Sequence, residues 1–204
     1  MFTKQSTLQK VLKASFKDTG ISVAISENGW LFIKTNYIRL QIDYEMAPKE
    51  FKGFLVSLIG DLPKPGEAWK YTKKEAQQME MFDTVYEDLM QQAVDASDPR
   101  RLIERTHVTL ETTDGDIAVW QNVKNEKFMT FAAHAAVIDE DAIDEDKGEE
   151  PMNGPYLTGP FAIAYNNVMA LEILLRDTRW EGEDELIAAL NTVDAAYPFL
   201  NKQD

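Results

Sequence analysis

His107 and His134 are the only imidazoles in a chain of 204 residues that contains no cysteine. They are the only side chains whose ordinary pKa lies near neutrality, and the only nitrogen ligands of the kind transition metals prefer. A nucleophile and base pair, or a two-histidine metal site, would have to be built on them. The segment "RLIERTHVTLETTDGDIAVWQNVKNEKFMTFAAHAAVID" (101–139) reads as three strands turning at Asp114-Gly115 and Asn125-Glu126. In a simple meander these turns pair His107 with Asn122 and Met129 and leave His134 five residues further along its strand. An odd offset points the two rings to opposite faces, about 17 Å apart along the strand. His107 is then a strand-surface residue and His134 a packed one, and no shared site is predicted.

The other nucleophile and phosphate signatures are missing. There is no Gly-x-Ser-x-Gly elbow, no Walker pattern and no dinucleotide fingerprint in the sequence. Without cysteine there is no disulfide, thiolate metal site or cysteine nucleophile. No catalytic residue, metal or cofactor is predicted. The enzyme alternative that remains is a metal-assisted hydrolase or nuclease working with carboxylates and one histidine, because carboxylate pairs are made in space rather than in sequence.

Carboxylates are plentiful. The run "VIDEDAIDEDKGEEP" (137–151) holds Asp139, Glu140, Asp141, Asp144, Glu145, Asp146, Glu149 and Glu150. As a calcium loop starting at Asp139 it fails at the hinge: the fifth position is Ile143 and the sixth, which must be glycine, is Asp144. A solvated surface segment is the first reading, a recognition element for a basic protein the second, and loose divalent-cation binding by Asp139, Asp141, Asp144 and Asp146 the third. Acidic surfaces speed encounter and fix orientation more than they add affinity.

The charge is unevenly placed. Residues 1–74 carry 12 Lys/Arg and 7 Asp/Glu, a net of +5, whereas the remainder carries 9 basic and 28 acidic residues, a net of −19. Opposite halves attract within the fold or between copies, or serve two partners. A nucleic-acid reading places Lys10, Lys13 and Lys17 on phosphates, next to a sheet face bearing Trp30, Phe32, Tyr37 and Arg39. Those four residues are equally candidates for protein contact. The overall charge of −14 argues against a polyanionic partner.

The elements that position these residues follow from periodicity. "STLQKVLKASF" places Leu8, Val11 and Leu12 on one helical stripe, ended by Gly20. "ISVAISENGWLFIKTNYIRLQIDYE" reads as three strands turning at Asn28-Gly29 and near Thr35-Asn36. In that register Ala24, Leu31, Ile33, Ile38, Leu40 and Ile42 share the core face, and Val23, Ile25, Trp30, Phe32, Tyr37 and Arg39 the other. A second helix starts at Pro48 with Phe51, Phe54, Leu55 and Leu58 inward. A third opens with the capping box Thr72/Glu75 and buries Met79, Phe82, Val85, Tyr86, Leu89 and Ala93 before Pro99. After the second trio of strands, residues 160–176 are apolar on nearly every side and read as a central buried helix. A last helix carries Leu186, Ile187, Leu190 and Val193.

The order predicts an α+β protein, about half helix, made of two antiparallel three-stranded meander units each followed by a helix pair, as in a structural duplication. The units are 1–98 and 99–204, separate or sharing one core. The order from "LQKVLKAS" through "APKEFKGFLVSLIGDLP" resembles that of a DNA sliding-clamp domain. The resemblance stops where the chain is read as entering a long helix and a clamp domain has four further strands, so no family is read from it. No stretch is apolar enough for a membrane span and no signal peptide is evident, so a soluble cytoplasmic protein is expected. The reading that results is a non-catalytic acidic interaction module, acting as regulator, inhibitor or assembly factor on a protein with a basic surface.

Overall fold

The computed structural model describes residues 1–80, 88–175 and 188–190. The chain is mixed α+β with antiparallel sheets and few helices. Helix α1 (Gln5–Asp18) buries Leu8, Val11, Leu12 and Ser15, one residue per turn or so, as the stripe requires. It stops where Thr19 and Gly20 both donate their N–H groups to Ser15 O, with Gly20 at φ +87°. A Cβ on Gly20 would lie 2.5 Å from the Tyr71 carbonyl oxygen, so this position needs glycine for conformation and for space.

Strands β1 (Ile21–Ile25), β2 (Trp30–Lys34) and β3 (Ile38–Asp43) form the expected meander, with one correction of register. The first turn is a three-residue loop rather than a two-residue one. Ser26 N–H donates to Trp30 O, and Gly29 takes φ +81°. The added residue pairs Val23 with Ile33 and Ile25 with Leu31, and a slip of one residue turns every β1 side chain over. Val23 and Ile25 therefore share the core face with Leu31, Ile33, Leu40 and Ile42, while Ala24 lies opposite beside Phe32. Tyr37 sits in the second turn, on neither face.

Helix α2 (Lys49–Ile59) buries Phe51 and Leu55 and, with α1, covers the core face. The chain then departs from the predicted long helix. Residues Glu67–Tyr71 form β4 on the free edge of β1, and Ala76–Met79 form β5. Thr72 Oγ1 does accept the Glu75 N–H, at 3.2 Å, as a capping box would. Thr72 N–H also donates to Glu75 O, which closes the hairpin turn between β4 and β5 instead. Phe82, Val85 and Tyr86 lie outside the described residues. Helix α3 is short, Leu89–Ala96, with Leu89 and Ala93 buried as expected and the Asp88 side chain capping Gln91 N–H.

The larger correction concerns residues 160–176. They form no helix: β10 (Phe161–Tyr165) and β11 (Met169–Leu174) pair antiparallel around an Asn166-Asn167 turn, and β9 (Asn153–Thr158) pairs with β10. The segment is apolar on every side because both faces of these strands are covered. Leu171 and Ile173 enter the core under α1 and α2, and Ile163 and Ala170 enter the one under α3. The first meander is thus followed by α2 and, only after the β4–β5 hairpin, by the short α3, and the pair predicted at 160–204 is replaced at 160–175 by strands. The predicted last helix lies outside the described residues, apart from Leu190, which is in a short helical stretch.

Strand β11 pairs with β3, giving one eight-stranded sheet in the order β5-β4-β1-β2-β3-β11-β10-β9. It draws five strands from before Pro99 and three from after it. The second meander, β6 (Ile103–Leu110), β7 (Ile117–Asn122) and β8 (Lys127–Phe131), stands as a separate three-stranded sheet. Its turns are longer than predicted, pairing Leu110 with Ile117 and Gln121 with Lys127, and the β6–β7 register shifts between Arg105 and Thr109. Strand β8 ends at Phe131, so His134 is not on a strand but on the one-turn helix α4 (Ala132–Ala135). No helix among the described residues is long and apolar enough to cross a membrane.

Candidate functional site

The two sheets touch at their edges. Strand β6 is an edge of the small sheet, β9 an edge of the large one, and a single antiparallel bridge, Leu102 to Tyr156, joins them. Beyond the bridge they part around an open cleft of about 850 Å³. Leu102 through His107 and Thr109 line one side and Gly154-Pro155 the other, with Trp120, Ala135, Ile138, Asp139, Glu140 and Asp141 completing it. Pro155 has no N–H to donate and Gly154 is at φ +95°, so β9 cannot continue a regular ladder here.

The cleft is acidic. Glu104, Asp139, Glu140 and Asp141 face one cation, Arg105, and His107. Burial, and then the charge of Glu140, push the Glu104 carboxyl above the ordinary carboxylate range. Glu104 Oε2 is buried and accepts no hydrogen bond among the described residues. Trp120, 2% exposed, has an indole N–H that is also buried and unpartnered. An unmet acceptor and an unmet donor in one cleft each cost free energy until something supplies a partner.

The acidic run does not hang free. Two short 3₁₀ turns, Glu140–Ala142 and Glu145–Lys147, shape it, and Gly148 in the left-handed region turns it back. At its start Asp139 N–H donates to Phe2 O. At its end Glu150 N–H donates to Asn167 Oδ1 at 2.9 Å, and Asn167 Nδ2 donates to Gly148 O at 2.7 Å. Glu149 is 5% exposed: its carboxylate accepts from Asp144 N–H and pairs with the amino group of Met1. Asp144 pairs with Lys147 at 2.7 Å. Glu140, Asp141, Glu145, Asp146 and Glu150 are exposed, Asp139 and Asp144 partly buried. Among the described residues no group of three or more histidines and carboxylates is placed to hold a metal ion.

The remaining candidates are dispersed. Lys10, Lys13 and Lys17 are exposed on α1. Phe32 is 2% exposed, packed with Ala24, Ala68, Trp30 and Met79, and offers no face for stacking. Arg39 is held by Glu172 directly across from it on β11 and lies 5.0 Å from the Phe161 ring centroid. Tyr37 stacks on His134 with ring centroids 4.9 Å apart. The two histidines line different hollows: His107 the acidic cleft, His134 a smaller one with Lys10, Asp18 and Tyr37. Glu104, Arg105 and Trp120 are the residues that sequence reasoning passed over. A signal existed, since two adjacent charges in a strand cannot both point to the solvent side.

No protein family matches the chain, and no curated protein matches it in sequence. Among solved structures it is similar to the β subunit from the DNA polymerase of Streptococcus pyogenes, at 9% identity and a TM-score of 0.33, over 90% of this chain and 66% of that one. The chain thus spans just under two thirds of that protein's length, and a likeness this slight carries neither a function nor a partner across.

Proposed function

We propose that this protein is a non-catalytic interaction module that receives a basic segment of another protein in the acidic cleft beside β6. One observation carries the reading: Glu104 holds a buried carboxylate oxygen without a partner, in a cleft where four carboxylates face a single guanidinium. Burial and the charge of Glu140 raise the cost of ionising Glu104, and a cation entering the cleft relieves it. The exposed carboxylates of the run, from Glu140 to Glu150, extend the same negative surface and steer the approach of the partner.

The test is a titration with a labelled deca-lysine peptide followed by fluorescence anisotropy at low and moderate salt. Deca-glutamate and a single-stranded oligonucleotide serve as controls. Binding is expected for deca-lysine alone, weakened at least tenfold by the combined replacement Asp139→Asn, Glu140→Gln and Asp141→Asn with thermal stability unchanged. Absence of binding at low salt, or binding indifferent to the triple replacement, overturns the reading. Oligonucleotide binding lost on neutralising Lys10, Lys13 and Lys17 would replace it with the nucleic-acid reading.

A further inference from the structure

The cleft is lined by six consecutive residues of one chain segment, Leu102 to His107. Successive side chains of a strand point to opposite faces, so a cleft that touches all six faces the strand's edge. Among the described residues strand β6 pairs with β7 on one side and, past the bridge at Leu102, where β9 lies alongside, with no strand on the other. An edge strand points every second N–H and C=O outward. The register shift after Arg105 limits the regular part of this edge to Ile103–Arg105. Thr106 there turns its hydroxyl inward to Val119 O, at 2.8 Å.

Resting on the function proposed above, we infer that the cleft binds its partner by strand addition: an extended Lys/Arg-bearing peptide segment pairs with the outer edge of β6, in the gap that Gly154-Pro155 leaves between the two sheets. Two features fix the occupant as a peptide rather than any cation. The outward N–H and C=O groups of Ile103–Arg105 need partners, which a peptide backbone provides and a polyamine lacks. The Glu104 carboxylate needs a cationic or N–H donor, which a Lys or Arg side chain or a peptide N–H provides. One extended segment carries both. The regular part of the edge, Ile103–Arg105, is about 10 Å long at roughly 3.3 Å per residue, room for a short pairing of three residues. The carboxylates of Glu140 and Asp141 stand beside it to meet alternate basic side chains.

The experiment changes the ligand first and then one residue of the protein. An eight-residue peptide alternating Lys and Val is compared with the same peptide N-methylated at every second residue and with spermine, by calorimetric titration at low salt. N-methylation keeps the charge and removes the backbone donors. Strand addition expects the unmodified peptide to bind at least tenfold more tightly than either analogue, with slowed amide exchange at Ile103–Arg105, and Glu104→Gln to weaken it. Equal binding of the N-methylated peptide, or of spermine, overturns strand addition while leaving the acidic-module reading standing. Binding unaffected by Glu104→Gln places the peptide elsewhere and overturns it too. If no basic ligand binds, both readings fall together.

Discussion

His134 offers a perturbation whose size can be worked out from the structure. Its ring is packed between Tyr37 and Phe131, and its Nδ1 is buried without a hydrogen-bond partner among the described residues. Burial alone holds its pKa down to about 4, against the usual 6.5. In the unfolded chain the imidazole takes up a proton as the pH falls through about 6.5, while in the folded chain it stays neutral until about 4. The unfolded state thus binds more protons across this window, and stability rises with pH. His134 costs nothing above pH 7, and folding loses about 2 kcal/mol by pH 5 and about 3 kcal/mol by pH 4 on its account. The comparison is with His134→Phe, which keeps the aromatic packing and removes the titration. Urea unfolding of both proteins at pH 7 and pH 5 gives the difference. The variant should match the parent within about 1 kcal/mol at pH 7, since it removes an unpaired buried nitrogen, and gain about 2 kcal/mol on it at pH 5. A difference between the two that does not change with pH would refute the placement of His134.

Three further predictions test the frame. Arg39→Ala strands Glu172, which is 1% exposed on β11, and should cost about 3 kcal/mol, whereas replacing both by Leu should cost far less; a double-mutant cycle in urea distinguishes the two. Gly20→Ala forces a Cβ against the Tyr71 carbonyl in a left-handed conformation and should destabilise by about 2 kcal/mol or more, read as a fall in Tm, while Gly148→Ala, in open space, should cost only about 1 kcal/mol. Because the chain has no cysteine of its own, the pair Gln41→Cys and Ala170→Cys, directly opposite on β3 and β11, should oxidise to one intramolecular disulfide visible by mass spectrometry and gel shift. Failure to form it in the folded protein would remove the strand pairing that unites the large sheet.

The first meander was legible because its signals are local. Asn-Gly turns, alternating apolar residues and a glycine stop are each decided within a few residues, and α1, β1, β2, β3 and α2 stand where those signals put them. The register error at Asn28-Gly29 has the same local origin: nothing in "SENGW" distinguishes a two-residue loop from a three-residue loop ending in a left-handed glycine. The segment 160–176 failed for a different reason. An apolar run reads alike as a buried helix or as two buried strands, and only covering both faces, which distant helices do, settles it. The Asn166-Asn167 pair was the one punctuation inside it. Asn166 Oδ1 accepts the N–H groups of both Val168 and Met169, at 3.1 and 3.0 Å, an Asx turn that a helix interior disfavours.

The cleft was not legible at all, and the reason bears on what it does. Glu104 and Glu140 are 36 positions apart in sequence and come together because the acidic run is fastened at both ends, to Phe2 and to the β10–β11 turn. A run left to solvent would spread its like charges apart. Here main-chain and side-chain hydrogen bonds and ion pairs at Asp139, Asp144, Gly148, Glu149 and Glu150 hold several carboxylates together beside one strand edge. Such an arrangement works against the protein's own stability, through repulsion and through a buried carboxylate oxygen, Glu104 Oε2, with no partner among the described residues. The destabilisation is relieved when a cationic strand occupies the edge, so the groups that oppose folding of the free protein are those that favour the complex. Neutralising Glu104 with glutamine should accordingly raise the melting temperature of the free protein while lowering its affinity for the basic peptide. If Glu104→Gln lowered both, Glu104 would be a structural residue, and the cleft would lose its claim to be a site.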